Sequence, residues 1–386
     1  MKLSMNSIII LIHTEYVFKD SSESNKTHHK LWKKMNKENN YFRIDDKPIS
    51  ATSPVFIIAE AGVNHNGSLE MALELVDIAH KAGADAVKFQ LYQAKEQASE
   101  LAEVAAYQQK NAEADNQLEM AKSYELDWKY HHDTLTHCKK VGISYMASCF
   151  DPDAVDFLNE LGGDAIKVGS GEITNFPLLK HMAKTGRPIL LSTGMSDLKD
   201  VSDAIEHIKE NGGKKILLFQ CTSNYPCAPE AANLKAMQTL AREFNLPVGF
   251  SDHTEGSTAS VVSVALGARM IEKHFTIDKK LPGPDHIMSL SPEELEDFVK
   301  EIRTAELMLG SGEKVAHESE ISTRNVARRS IVAAMEIKEG SKITEKQLTL
   351  KRPGTGIDPR KIDEVIGKVA NRDIRKDLPL RWEMIE

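Results

Sequence analysis

Eight short apolar runs punctuate the chain between positions 55 and 274: Val55–Ala59, Ala86–Gln90, Ile143–Ser148, Ala165–Val168, Pro188–Ser192, Ile216–Cys221, Val248–Ser251 and Met270–His274. Each stops abruptly in polar or turn-forming residues, which is the signature of strands buried on both faces. Stretches with helical spacing lie between them, from Leu69–Lys81 to a last helix near Pro292–Leu309. Eight β-loop-α units predict a (β/α)8 TIM barrel. An open doubly wound sheet is the competing α/β arrangement, but no Gly-rich dinucleotide fingerprint follows the first strand. One interval stands apart, the Gln-, Glu- and Ala-rich stretch Tyr92–Leu126, which reads as a lid or selectivity loop.

The pattern has clear edges. Ile8–Ile12 is too short for a secretory h-region and far too short to span a bilayer, and the Lys-, Asn-, Ser- and His-rich tract to Asn40 has no periodicity. Residues 1–50 therefore read as a disordered extension, with Met35 as an alternative initiator and order starting near Pro54. The barrel takes residues 51–312, followed by a linker over 313–327. From Arg328 to Glu386 short strands and turns replace the helical repeat, predicting a small β-rich domain.

In a TIM barrel the residues just past the strand C-termini face one pocket. Here those positions carry Glu60, Lys88 with Gln90, Ser148, Lys167 with Ser170 and Glu172, Ser192 with Thr193, Thr222 with Tyr225, Ser251 with His253, and Lys273 with His274. Two lysines among several hydroxyls form a cradle suited to a phosphate, point charges plus neutral donors. Any one of those serines alone reads equally as a turn or cap hydroxyl. His253 and His274 end adjacent strands, where two imidazoles can share a divalent ion, although a lone histidine in either place would read as structural. Glu60 and Glu172 are candidate acid/base carboxylates.

Composition trims the alternatives. The 386 residues carry a net charge of −8 and a pI near 6.0, which favours neither nucleic acid nor an anionic membrane, so any anionic substrate must be held locally. Cys138, Cys149, Cys221 and Cys227 form no CxxC pair, which fits a reducing cytoplasm.

Eight motifs in order carry a resemblance: Glu60-Ala-Gly-Val-Asn-His-Asn-Gly67, Val87-Lys-Phe-Gln90, Lys167-Val-Gly-Ser-Gly-Glu172, Leu191-Ser-Thr-Gly-Met195, Cys221-Thr-Ser-Asn-Tyr-Pro226, Gly249-Phe-Ser-Asp-His-Thr254, Ile271-Glu-Lys-His-Phe-Thr276 and Pro282-Gly-Pro-Asp-His286. From about Pro54 to its end the chain resembles the sialic acid synthase family. The resemblance implies condensation of phosphoenolpyruvate with an N-acylated mannosamine-type sugar, N-acetylmannosamine or a diacetamido-trideoxyhexose, releasing phosphate and a sialic-type acid. It implies that Lys88, Ser148, Lys167, Ser170 and Ser192, with Gln90 nearby, hold phosphoenolpyruvate, and that Glu60 and Glu172 handle protons. It gives Tyr225, Ser251 and Asp285 to the sugar, and Mn2+, with Mg2+ or Co2+ as alternatives, to His253 and His274. The terminal domain resembles the antifreeze-like SAF domain, which implies an exchanged homodimer with Arg352 reaching the sugar's N-acyl group. Two departures stand out: Ala147-Ser-Cys-Phe-Asp151 where the family usually has Ser-Thr-Pro-Phe-Asp, and Gln220 where a His usually precedes the Cys-Thr pair. The other readings are a Schiff-base aldolase on Lys167 and a non-enzymatic carbohydrate-binding protein.

Overall fold

The computed structural model of the protein describes residues 40–104 and 114–386, in two compact units that divide after Gly310. The first unit is a closed parallel barrel. Its strands are β3 (Phe56–Gly62), β4 (Ala86–Leu91), β5 (Ser144–Cys149), β6 (Ile166–Val168), β7 (Ile189–Ser192), β8 (Ile216–Cys221), β9 (Val248–Asp252) and β10 (Met270–His274), with β10 pairing back onto β3. These are the eight predicted runs. Helices between them start at chemically marked positions: Asp151 caps Pro152–Glu160, and Ser291 with Glu294 makes a capping box ahead of Pro292–Leu309. Among the described residues no helix is long and apolar enough to cross a membrane.

Regular structure is already present at Asn40, ahead of the start that the sequence pattern predicts. Strands β1 (Asn40–Ile44) and β2 (Lys47–Ser50) form an antiparallel hairpin. The prediction of a disordered 1–50 is thus corrected for residues 40–50; its remainder, with Met35, lies outside the described residues. Phe42, Ile44 and Ile49 alternate with polar neighbours and pack against Phe56, Ile58, Met146, Leu190, Leu217, Phe219 and Met270, the lower layer of the barrel interior. The hairpin therefore plugs the barrel floor. Its turn is tied down by Asp45, whose backbone amide donates to Asp164 at 2.6 Å, and by Lys47, which pairs with Asp85 at 2.8 Å.

The stretch Tyr92–Leu126 is not a bare loop. It holds short helices at Ala94–Gln97 and Gln117–Tyr124. In the second unit, β11 (Ser330–Ala333) and β12 (Leu348–Lys351) pair antiparallel over a core of Ile331, Ile337, Ile343, Ile374 and Leu380. The predicted linker is also partly structured, with a helix at Ile321–Ala327.

Candidate active site

Inside the barrel the strands change character halfway up. Inward-facing positions alternate along each strand, and the apolar lower layer gives way to Glu60, Lys88, Ser148, Lys167, Ser192, Cys221, Ser251, Glu272 and His274. They line a cavity of about 430 Å³. The Lys88 ammonium lies 2.7 Å from Glu60 Oε2, donates to Ser148 Oγ at 2.7 Å, and is 3.7 Å from Glu272 Oε2. Lys167 Nζ lies 3.6 Å from Glu272 Oε1, which also accepts from Ser251 Oγ at 3.1 Å. All four charged side chains are buried.

Burial and neighbours divide the two carboxylates. Burial pushes Glu60 up to about 7; Lys88 pulls it down, and Glu272 adds a like-charge push upward. Burial also opposes ionisation of Glu272, but Lys167 and Lys88 overcome it and hold this carboxyl well below its ordinary range. Burial lowers Lys167, whereas Lys88 is raised because Glu272 and Glu60 outweigh its desolvation. The floor therefore gathers two lysines, one firm carboxylate and, near neutrality, one carboxyl poised to exchange a proton. Such a floor receives an anion.

Ser170 and Ser192 extend this floor on the β6 and β7 side. Gly194 donates its backbone N–H to Ser170 Oγ at 3.1 Å, and a Cβ there would stand 2.4 Å from Ser223 Oγ and 2.6 Å from Ser170 Oγ. Only glycine lets the backbone come this close.

On the β9 and β10 side the two imidazole rings lie 5.7 Å apart between centroids, and Tyr225 covers His253 at 4.0 Å. His253 Nδ1–H donates to the Thr222 carbonyl at 2.8 Å, which orients the ring and makes Nε2 the nitrogen that would bind a metal in the neutral form. His274 is held neutral by burial and by the neighbouring His253, and its buried Nδ1 has no hydrogen-bond partner, with Asp285 Oδ2 at 4.0 Å. An orphaned imidazole nitrogen beside a second, pre-oriented ring suits a divalent ion. Among the described residues no cluster of three or more His, Cys, Asp or Glu converges, so water or substrate would complete the coordination.

The cavity continues into an annexe of about 160 Å³ walled by Val63, Tyr92, Met120 and Tyr124, with Gln90, Gln97, Gln117, Tyr225, His274 and Asp285 at its polar side. Burial pushes the Asp285 carboxyl up to about 6. The two short helices of Tyr92–Leu126 thus contribute lining residues.

Glu172, Arg352 and Lys273 stand elsewhere. Glu172 accepts from Asn175 Nδ2 at 2.7 Å on the turn after β6 and does not line the cavity. Arg352 sits exposed on the turn after β12, in the second unit. Lys273 points outward and pairs with Asp252 at 3.2 Å between the barrel wall and its helices. Sequence reasoning missed Glu272, and the signal was available: counting back two residues from His274 puts Glu272 on the same inward face. Cys221, to which the sequence pattern gives no role in the site, also lines the cavity.

The NeuB family model matches residues 75–314, and the SAF domain model matches residues 328–386. The chain belongs to the NeuB family. It is 46% identical over 345 residues to the N,N'-diacetyllegionaminic acid synthase of Legionella pneumophila, covering 88% of this chain and 97% of that one. It is also 46% identical over 328 residues to the Campylobacter jejuni protein of the same name, covering 84% of this chain and 98% of the other. Among solved structures, the N-acetylneuraminic acid synthetase of Leptospira borgpetersenii, crystallised with citrate, superposes with a TM-score of 0.66 at 33% identity, over 74% of this chain and 96% of that one. Membership in the family agrees with a TIM barrel followed by a SAF domain.

Proposed function

We propose that this NeuB-family barrel condenses phosphoenolpyruvate with the open-chain aldehyde of an N-acylated mannosamine-type sugar and water, giving a sialic-type acid and inorganic phosphate. The observation that carries this reading is the meeting of an anion-receiving floor, Lys88 and Lys167 with Ser148, Ser170 and Ser192, with a pair of pre-oriented imidazoles at its edge. The names of the 46% identical relatives point to a diacetamido-trideoxyhexose as acceptor in preference to N-acetylmannosamine.

In this reading the floor binds the phosphate and carboxylate of phosphoenolpyruvate and orients its methylene carbon toward the sugar aldehyde. The new C–C bond forms between them, the aldehyde oxygen gains a proton, and water adds to the former enol carbon. Collapse of that adduct breaks the C–O bond to phosphate and leaves a ketone. Glu60, titrating near neutrality, takes the proton from water, and the fixed charge of Glu272 steadies the cationic carbon. Glu172, held by Asn175 outside the cavity, is given no proton-transfer role. A divalent ion on His253 and His274, Mn2+ first and Mg2+ or Co2+ as alternatives, would supply Lewis-acid polarisation of the aldehyde. Gln90, Tyr225, Ser251 and Asp285 bind the sugar. Arg352 serves the N-acyl group in the barrel of a second copy, in an exchanged homodimer, within a reducing cytoplasm.

Phosphate release from phosphoenolpyruvate, measured against a panel of N-acylated mannose-type sugars with and without EDTA and Mn2+, tests the proposal. Release that needs both sugar and metal supports it; no release with any sugar from metal-loaded protein overturns it. The lowered Lys167 ammonium favours a second reading, a Schiff-base aldolase, which predicts chelator-resistant activity and an adduct trapped by borohydride.

A further inference from the structure

The Asn-His-Asn segment after β3 has no part in the chemistry proposed above, yet Asn64 is fully buried. Its side-chain amide donates to the Phe275 carbonyl at 2.8 Å and to Ser289 Oγ at 2.9 Å. Ser289 in turn donates its hydroxyl to the Asp285 carbonyl at 2.6 Å. One amide thus grips both ends of the 275–290 loop: Phe275 directly follows the imidazole of His274, and Asp285 carries the carboxylate that faces the annexe. Asn66 holds the same loop at its crown, donating to the Pro282 carbonyl at 3.0 Å and accepting from His286 Nε2 at 3.1 Å. The bonds of this grip run to none of the floor's side chains; the Phe275 N–H reaches only the backbone carbonyl of Glu60, at 3.1 Å.

We propose that Asn64, acting through Ser289, is a positioning residue for the acceptor-sugar side of the site. It sets where Asp285 stands relative to His274 and leaves the anion floor to Lys88 and Lys167. Two backbone hydrogen bonds, Thr276 N–H to the Leu290 carbonyl and Leu290 N–H to the His274 carbonyl, both 2.9 Å, close the neck of the loop after β10, and the Asn64–Ser289 link adds the hold on Asp285 inside it. A displacement of even part of an ångström moves a sugar-binding carboxylate away from its partner, whereas phosphoenolpyruvate would be held as before. The inference rests on the synthase reading for its substrate, but the grip itself does not.

The test uses the full-length protein with Ser289→Ala and Asn64→Asp. Ser289→Ala removes the hydroxyl that joins Asn64 to the Asp285 carbonyl and leaves the Asn64–Phe275 bond in place; Asn64→Asp is isosteric and loses the donated bonds. Both variants should raise the KM for the acceptor sugar about tenfold or more, with the KM for phosphoenolpyruvate and its directly measured Kd unchanged. An unaltered sugar KM, or equal rises for both substrates, overturns the proposal. If the unsubstituted protein releases no phosphate, the synthase reading fails separately. Amide exchange across residues 276–290 then decides the grip: faster exchange in Ser289→Ala upholds it, and unchanged exchange removes it.

Discussion

Replacing Lys88 by Met makes a sharp test of the buried floor, because the penalty should depend on pH in a way fixed by Glu60. The Glu60 carboxyl titrates near 7 in the folded protein, above the 4.5 of an unburied glutamate. It therefore favours the folded state at low pH, and that contribution is lost as pH rises through about 7. In the unsubstituted protein the loss stops there, since the ionised carboxylate sits 2.7 Å from the Lys88 ammonium. Without Lys88 the carboxyl must stay protonated, while the unfolded chain remains ionised, so the loss continues at about 1.4 kcal/mol per pH unit. The extra destabilisation from this source should be small at pH 6 and reach about 2 kcal/mol at pH 8.5. Urea unfolding of the full chain at several pH values measures it. Adding Glu60→Gln should flatten the pH dependence, because no buried acid remains to be held neutral beside Met. A Lys88→Met penalty that is the same at pH 6 and 8.5, or a rise that persists in the double variant, would refute the reasoning. Both proteins should still lose affinity for phosphoenolpyruvate, by up to about a thousandfold, since one of the floor's two lysines is gone.

The other predictions probe separate parts of the molecule. Ile49→Ala should cost about 2–5 kcal/mol by emptying the plug under the barrel, read as a shift in the urea midpoint; a change below about 1 kcal/mol would mean that the hairpin is not part of the barrel core. Gly194→Ala should raise the KM for phosphoenolpyruvate at least about tenfold by pushing Ser170 and Ser223 aside, with the sugar KM much less affected. Arg352→Ala should raise the sugar KM and leave phosphoenolpyruvate binding intact; equal effects on both would remove the N-acyl role. In each kinetic test the folded fraction is checked by circular dichroism.

How far the site could be read from sequence depended on strand parity. The positions of the eight strands were legible because each is a continuous apolar run closed by turn residues. The β1–β2 hairpin was not, because its alternating Phe42, Ile44 and Ile49 are few and follow a long polar tract. Within strands, naming whichever polar residues stood at the tip gathered Lys273 along with His274 and passed over Glu272. Pleating gives the opposite answer, since residues two apart share a face and adjacent ones do not. Glu172 failed for a related reason: β6 ends at Val168, and beyond the strand the chain turns into a 3-10 helix at Ser170–Glu172 whose third residue no longer faces the axis.

The same parity explains why the two departures from the family pattern leave the cavity intact. On β8 the inward residues are Phe219 and Cys221, so Gln220 faces the helical layer, where its amide donates to the Ala232 carbonyl at 3.2 Å. On β5 the inward residues are Met146 and Ser148. Ala147 and Cys149 pack in the outer core, and the Cys149 thiol turns toward the Ala154 carbonyl of the helix that Asp151 begins. Ser148 is thus the one residue of the Ala147–Ser148–Cys149 triplet that meets the cavity, and it keeps the hydroxyl that Lys88 needs. Changing Ala147, Cys149 or Gln220 should therefore act on stability through packing, whereas changing Ser148 to Ala should act on anion affinity.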